Sequence, residues 1–274
     1  LSERENIING CHKVIFISGW IQQRFFSSFK NVNLIRTSII PHGIIKKNKI
    51  DISNKEKNIL FVGKLNHAKG YHIFSEAALR FKKFDPTWNF IAIGNEARKE
   101  IFPDKSIVKE IGYKKNSEVL NYYSKSEIAI GNSVWDEPLG RIAIEASSRK
   151  CLPIISNKGG LAESKNIALV LKENTSSELV SILKKITKNN SLRRQKQKIF
   201  HKNNNFDIKI ISKKLDNVRS EIIKNQINKN LSLKKRVLHI ANFNENSDGR
   251  LYYSFANKLN NGFVKNDHVV ETIS

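Results

Sequence analysis

Apolar runs of four to six residues alternate with helical segments along most of this chain. KVIFIS at 13–18, TSIIPHG at 37–43, NILFVG from Asn58 and WNFIAIG from Trp88 read as strands, as do SIVKEIG at 106–112, EIAIG at 127–131, LPIIS at 152–156 and IALVL at 167–171. Helices are expected over 20–29, 71–84 and 117–123, and DEPLGRIAIEA at 136–146 reads as another helical start. Continuous apolar strands separated by helices imply a parallel sheet covered on both faces. The expected fold class is therefore α/β, a Rossmann-like doubly wound parallel sheet. In such sheets ligands lie beyond the carboxyl ends of the strands, so the loops that follow the strands converge on one edge.

The pattern changes after residue 171. Residues 175–228 read as helices, with an apolar face carried by Leu179, Ile182, Leu183 and Ile186 and then by Phe206, Ile210, Ile211, Leu215, Val218 and Ile222. Asn225 to Lys235 is polar and Lys-rich, the composition of a linker. RVLHIANF, a Ser-Asp-Gly turn, a helix over 250–259 and NDHVVETIS then read as the opening of a further βαβ unit. The expected boundaries are 1–54, 55–224, 225–235 and 236–274.

Three features of the sheet edge carry candidate chemistry. In DEPLGRIAIEA, Pro138 fits the first position of a helix and Asp136 or Glu137 complements its positive end. On that reading Glu137 and Glu145 lie about 12 Å apart along the axis and roughly 80° around it. Gly140 leaves backbone N–H groups open to an anion. Lys64 and Lys69 bracket the loop after the strand from Asn58, and two ammonium groups around a Gly-bounded turn suit a diphosphate. On their own they read as solvated surface lysines. Gly159 and Gly160 let backbone approach a ligand, although a Gly-Gly pair by itself is more often only a turn. Their shared position at the edge beside the glutamates raises both signals. Trp135 reads mainly as packing, with a wall of a sugar pocket as the lesser reading.

Composition narrows the partners. The net charge is +23, and Lys184 to Arg236 alone carries 17 Lys or Arg against three Asp or Glu. Lys, Asn and Ile are frequent throughout, so a solvated basic face, with an anionic membrane surface as a partner, is preferred to nucleic-acid binding. No zinc finger, RNP-type aromatic motif or basic zipper is present. Two cysteines, Cys11 and Cys151, form no disulfide framework, and His42, His67 and His72 lack metal-ligand spacing, so no metal is expected. No Gly-x-Ser-x-Gly elbow indicates a serine hydrolase. No signal peptide pattern or membrane-length apolar run is present, so a cytoplasmic location is expected, peripheral on the inner face of the cell membrane. The chain has no methionine and starts at Leu1, so it is expected to be a fragment of a longer polypeptide.

FVGKLNHAKG, WDEPLGRIAIEA and IISNKGGLAE together resemble the C-terminal, donor-binding half of the retaining glycosyltransferases of family 4. That family has the GT-B architecture of two facing Rossmann-like domains. The resemblance spans about Lys13 to Ile223, and its most specific part is Glu, seven residues, Glu. It implies that Lys64 and Lys69 stand where an Arg and a Lys hold the donor diphosphate. It also implies Glu145 on the ribose hydroxyls, Glu137 by the transferred sugar, Gly140 and its neighbours by the diphosphate or sugar, and Gly159–Gly160 bordering the cleft. Gly112 and Tyr113 would meet the base. Lysine in place of arginine keeps the charge and loses the bidentate fork. Residues 1–54 would be the tail of the acceptor-side domain, and 236–274 the truncated start of a second glycosyltransferase-like domain. The activity implied is sugar transfer, with retention, from a nucleotide-diphosphate sugar to a glycan or lipid-linked acceptor. It would serve surface polysaccharide or lipopolysaccharide synthesis and need no metal or other cofactor. A GT-B nucleotide-sugar epimerase and a non-catalytic basic module for nucleic acid or membrane are the alternatives.

Overall fold

The computed structural model describes residues 3–28, 36–96, 107–227, 236–240 and 269–273. They fall into two compact units, one taking the described residues of Leu1–Pro41 and Ile211–Ser274 and the other His42–Ile210.

The second unit holds a six-stranded sheet in the order β5-β4-β3-β6-β7-β8. Its strands are β3 (Glu56–Val62), β4 (Asn89–Ile93), β5 (Val108–Glu110), β6 (Ser126–Gly131), β7 (Leu152–Ser156) and β8 (Leu169–Leu171), all paired in parallel. Residues 58–61 of β3 and all of β7 are buried without alternation. That is the signature of a sheet covered on both faces, as the continuous apolar runs require. Helix α3 (Tyr71–Lys82) turns Tyr71, Phe74, Ala78 and Phe81 inward at helical spacing. Phe61 meets Tyr71 edge-on at 5.2 Å between centroids, and Phe74 meets Phe90 at 5.6 Å. On the other face α4 (Asn116–Lys125) and α5 (Arg141–Ser148) bring Val119, Tyr123 and Ala146 against Leu60, Ile91 and Ala129.

Helices α6 (Ser176–Lys188) and α7 (Asn190–Asn203) close the unit. The first begins on Thr175, whose hydroxyl accepts from the Glu178 N–H. The second is pinned to β6 by a buried charge. The Glu127 side chain is 2 % exposed and pairs with Arg193 Nε at 3.2 Å and Arg194 Nη2 at 2.7 Å. Gln197 Nε2 donates to it at 2.8 Å. Arg193 also lies over the ring of Trp88 at 5.3 Å.

In the first unit, β1 (Val14–Phe16), β2 (Thr37–Ile39), β9 (Arg236–Ile240) and β10 (Val269–Ile273) form a parallel sheet in the order β10-β9-β1-β2. Ile8 of α1 (Glu3–Gly10) and Cys11, Val14 and Phe16 make its core, with Phe25 of α2 (Gly19–Ser28) on Phe16 at 5.1 Å. Lys13 pairs with Glu221 of α8 (Ile208–Ile227) at 3.3 Å.

The expected boundaries do not coincide with this division. Residues 42–54 go with the six-stranded sheet, because Arg149 Nη1 donates to the Ile45 carbonyl at 2.7 Å and Lys150 Nζ to that of Ile50 at 3.0 Å. Ile44 adds backbone bonds of 2.8 Å to Phe206 and Ile208. β9 and β10, read from the sequence as the opening of a further unit, pair in one sheet with β1 and β2. The linker expected over 225–235 begins inside α8, which runs to Ile227, and its residues 228–235, like the helix over 250–259, lie outside the described residues. No described helix is long and apolar enough to cross a membrane.

Removing the Glu127 carboxylate leaves Arg193 buried without its counter-ion. Glu127→Ala is expected to cost about 3–5 kcal/mol in urea unfolding. Asp216→Ala, which breaks the exposed pair with Arg219, is expected to cost less than about 1 kcal/mol. Equal effects for the two would show that the buried cluster is not what holds α7.

Candidate functional site

The strand order reverses between β3 and β6, and the loops after these strands meet at that point. The Val134 N–H donates to the Ala68 carbonyl at 2.9 Å, and Asn132 Nδ2 donates to that of Gly70 at 2.9 Å. From behind, Asn174 Nδ2 reaches the carbonyls of Asn132 and Ser133 at 3.1 Å each, and Ser156 Oγ reaches that of Ser133 at 2.7 Å. The Ala68, Gly70, Asn132 and Ser133 carbonyls are thereby satisfied, and the two loops are tied together.

Glu137 lies on that loop and not on a helix. The expectation that the helix starts at Pro138 is corrected: α5 starts at Arg141, and Gly140 caps it in the left-handed region at φ 70° and ψ 74°. Glycine is needed there, since a Cβ would stand 2.3 Å from Leu161 Cδ1. The helical spacing of about 12 Å therefore does not apply to Glu137 and Glu145. Glu137 Oε1 accepts from Lys69 Nζ at 3.0 Å and from the Ser133 hydroxyl. Its backbone is gripped by the Gly159–Gly160 pair, where the Gly160 N–H donates to the Glu137 carbonyl at 2.6 Å. A Cβ on Gly159, at φ 53°, would lie 2.5 Å from that carbonyl oxygen and 2.6 Å from the Glu137 nitrogen. The close approach these glycines permit is thus to the Glu137 peptide.

Glu145 is on α5, and Arg141 one turn earlier pairs with it at 2.7 Å. Asn116 Nδ2, at the start of α4, donates to the same oxygen at 3.3 Å. Burial raises the Glu145 pKa, and Arg141, Asn116 and Arg149 pull it back. The neighbouring Tyr123 hydroxyl is pushed well above its ordinary value, by burial first and by the Glu145 charge second.

The remaining expected residues line the same edge. Lys64, after β3, pairs loosely with Glu96, after β4, at 3.7 Å. Gly112 and Tyr113 follow β5, the Gly112 carbonyl accepts from the Gly94 N–H at 3.0 Å, and Tyr113 is 58 % exposed. Lys69 also lies 5.0 Å from the Trp135 ring centroid. The structure therefore gathers Lys69, Ser133, Trp135 and Glu137 in one group and Asn116, Arg141 and Glu145 in another. Lys64 and Tyr113 stand apart from both. His67 and His72 stack at 4.0 Å. Among the described residues no cluster of three or more His, Cys, Asp or Glu is placed to hold a metal.

Three of these residues escaped the sequence reading. Arg141 could have been found from its four-residue spacing to Glu145. Ser133 and Asn116 carry no comparable signal, because their partners are set by how the loops meet.

The sequence profile of the family described as glycosyl transferases group 1 matches residues 44–203. Spore coat protein SA of Bacillus subtilis (strain 168) is 30 % identical over 121 residues, 39 % of this chain and 32 % of that protein. An uncharacterized 42.6 kDa protein in the cps region of Klebsiella pneumoniae is 27 % identical over 118 residues, 41 % of this chain and 29 % of its own. The chain thus matches about a third of the length of these curated relatives. Among solved structures, Anabaena HepE in complex with UDP superimposes with a TM-score of 0.68 at 17 % identity, over 79 % of this chain and 66 % of that one. The α/β fold with its six-stranded parallel sheet matches the Rossmann-like GT-B structures.

Gly159→Ala forces a side chain into the left-handed region and against the Glu137 peptide. It is expected to lower stability by about 1–3 kcal/mol in urea unfolding. A change below about 0.5 kcal/mol would show that this loop accommodates a side chain and does not fix Glu137.

Proposed function

The chain belongs to the group 1 glycosyl transferases, and on that footing we propose that it transfers a sugar from a nucleotide-diphosphate sugar to a glycan or lipid-linked acceptor. The observation that carries the reading is a pair of glutamates at the switch-point edge, each with a cation on one oxygen: Lys69 on Glu137 and Arg141 on Glu145. Hydroxyl-rich groups at the two ends of a nucleotide sugar call for carboxylate acceptors. The diphosphate between them, where negative charge grows as the bond to the sugar breaks, calls for positive charge and open N–H groups.

In this reading Glu145 accepts from the ribose hydroxyls and Glu137 from the transferred sugar. An ammonium has three donors, so Lys69 bridges Glu137 and a phosphate oxygen, with Lys64 as a second point charge. Gly140 and the first N–H groups of α5 complete the anion site. Gly112 and Tyr113 take the base, and Gly159–Gly160 border the cleft by holding Glu137. No metal is assigned, since the lysines supply the charge. HepE in complex with UDP supports a nucleotide donor, and the spore coat and cps-region relatives support surface polysaccharide synthesis as the setting. Retention of the anomeric configuration is part of the proposal. So is a cytoplasmic site of action peripheral to the membrane, with the exposed Lys184, Lys185, Lys188, Lys198 and Lys202 of α6 and α7 on acidic lipid.

Titration calorimetry of the chain with UDP, GDP and ADP and their sugars tests the donor site. One nucleotide is expected to bind, and Glu145→Gln is expected to weaken it at least about tenfold, the value of a charge-assisted hydrogen bond. A folded sample that binds none of them would overturn the reading. NMR of the product anomer tests retention.

A further inference from the structure

Burial works against Glu145 as a ribose acceptor. A carboxyl group taken from water favours its protonated form, and a protonated carboxyl gives up charge-assisted acceptance on one oxygen. Something must hold this group as a carboxylate and leave one of its oxygens for the ligand. The arrangement around it does both. Oε1 takes Arg141 at 2.7 Å and Asn116 at 3.3 Å. Among the described residues, Oε2 accepts no hydrogen bond. Arg141 Nε is buried and has no hydrogen-bond partner in the described structure, and the guanidinium makes its one ion pair there with Glu145.

We propose that Arg141 is the positioning residue of the ribose site, holding Glu145 through Oε1 so that Oε2 is left to accept from the nucleotide. The inference rests on the reading of Glu145 as the ribose-binding group. Arg141 is local to its target, one helical turn away, so folding of α5 sets the pair before any ligand arrives. The groups facing Glu145 are Arg141 and Arg149 on its own helix and Asn116 and Tyr123 on α4. Arg141 is first among those favouring the charged form, after burial opposes it. Tyr123 stays protonated and adds no charge.

The sign of the pH effect follows. Without Arg141 the carboxyl holds its proton to higher pH, so ligand binding weakens and is regained as pH rises. The experiment is calorimetric titration with whichever of UDP, GDP and ADP binds the wild-type chain most tightly, from about pH 7 to about pH 9, where the diphosphate stays ionised. Arg141→Met is expected to bind about tenfold more weakly at the low end of that range and to recover part of the loss as pH rises. Arg141→Lys is expected to fall between it and the wild type. Glu145→Gln is expected to be weak at every pH, and Arg141→Met added to it to cost nothing further. A thermal melt of each variant establishes that it is folded. If Arg141→Met does not fold, Arg141→Gln, which keeps donors and removes the charge, carries the same test. Wild-type binding by the Arg141 variant, a loss that does not vary with pH, or a further loss on top of Glu145→Gln would each overturn the proposal. The latter two would instead mark Arg141 as a direct phosphate contact or a purely structural residue. Wild-type binding by Glu145→Gln would instead overturn the ribose reading on which the proposal rests.

Discussion

Val134 donates to the Ala68 carbonyl and Asn132 to that of Gly70, and these bonds lash together two loops far apart in sequence at the one place where the sheet changes direction. In a doubly wound sheet the connections on either side of the reversal run to opposite faces, which leaves a crevice between them. Backbone polar groups in such a crevice need partners, and here each loop supplies them to the other. Once the two are joined, Lys69 is brought to Glu137, Trp135 lies beside Lys69, and Gly140 starts α5 after the loop has turned. The candidate chemistry is in this sense a by-product of satisfying buried amides.

The sheet was legible because its strands are buried on both faces, and unbroken apolar runs such as LPIIS have few alternatives once helices separate them. The helix start at 136–146 was misplaced for a comparably physical reason. Pro138 obeys the local rule for a first helical position, and nothing local forbids a helix there. Gly140 decides the matter by taking the left-handed region at φ 70°, so α5 starts only at Arg141, and Leu161 packs where any side chain at 140 would stand. Gly159 and Gly160 were noticed as permissive, but a sequence cannot say whether permissive backbone meets a ligand or another peptide. Asn116 was invisible, because its role exists only once α4 and α5 are packed.

Net charge was the least informative property. A chain with 48 Lys and Arg suggests a polyanion partner, yet several of these cations are spent inside the fold. Lys55 is 8 % exposed and donates to the carbonyls of Tyr123 at 2.9 Å, Ser124 at 2.8 Å and Ser126 at 2.9 Å, closing the carboxyl end of α4. Burial lowers its pKa, so its charge is held against a desolvation cost by those carbonyls and the helix end. Arg193 is likewise committed to Glu127 and Trp88. Lysines of this kind say nothing about partners, and only position separates them from Lys64 and Lys69.

The two glutamates are held in opposite ways, and that asymmetry bears on how such a site divides its tasks. Glu145 sits on a helix and is fixed chiefly by a residue four positions away, with Asn116 of α4 as a second donor to the same oxygen. Glu137 sits on a loop and is fixed by Lys69, 68 positions away in the chain, and by a backbone bond from Gly160. A locally fixed group is insensitive to changes elsewhere, whereas one fixed through several loops moves when any of them changes. In the proposed reading the nucleotide end of the donor is therefore gripped by rigid structure and the sugar end by structure that substitutions in three loops can reshape. Such a division lets the sugar change while the nucleotide handle stays the same.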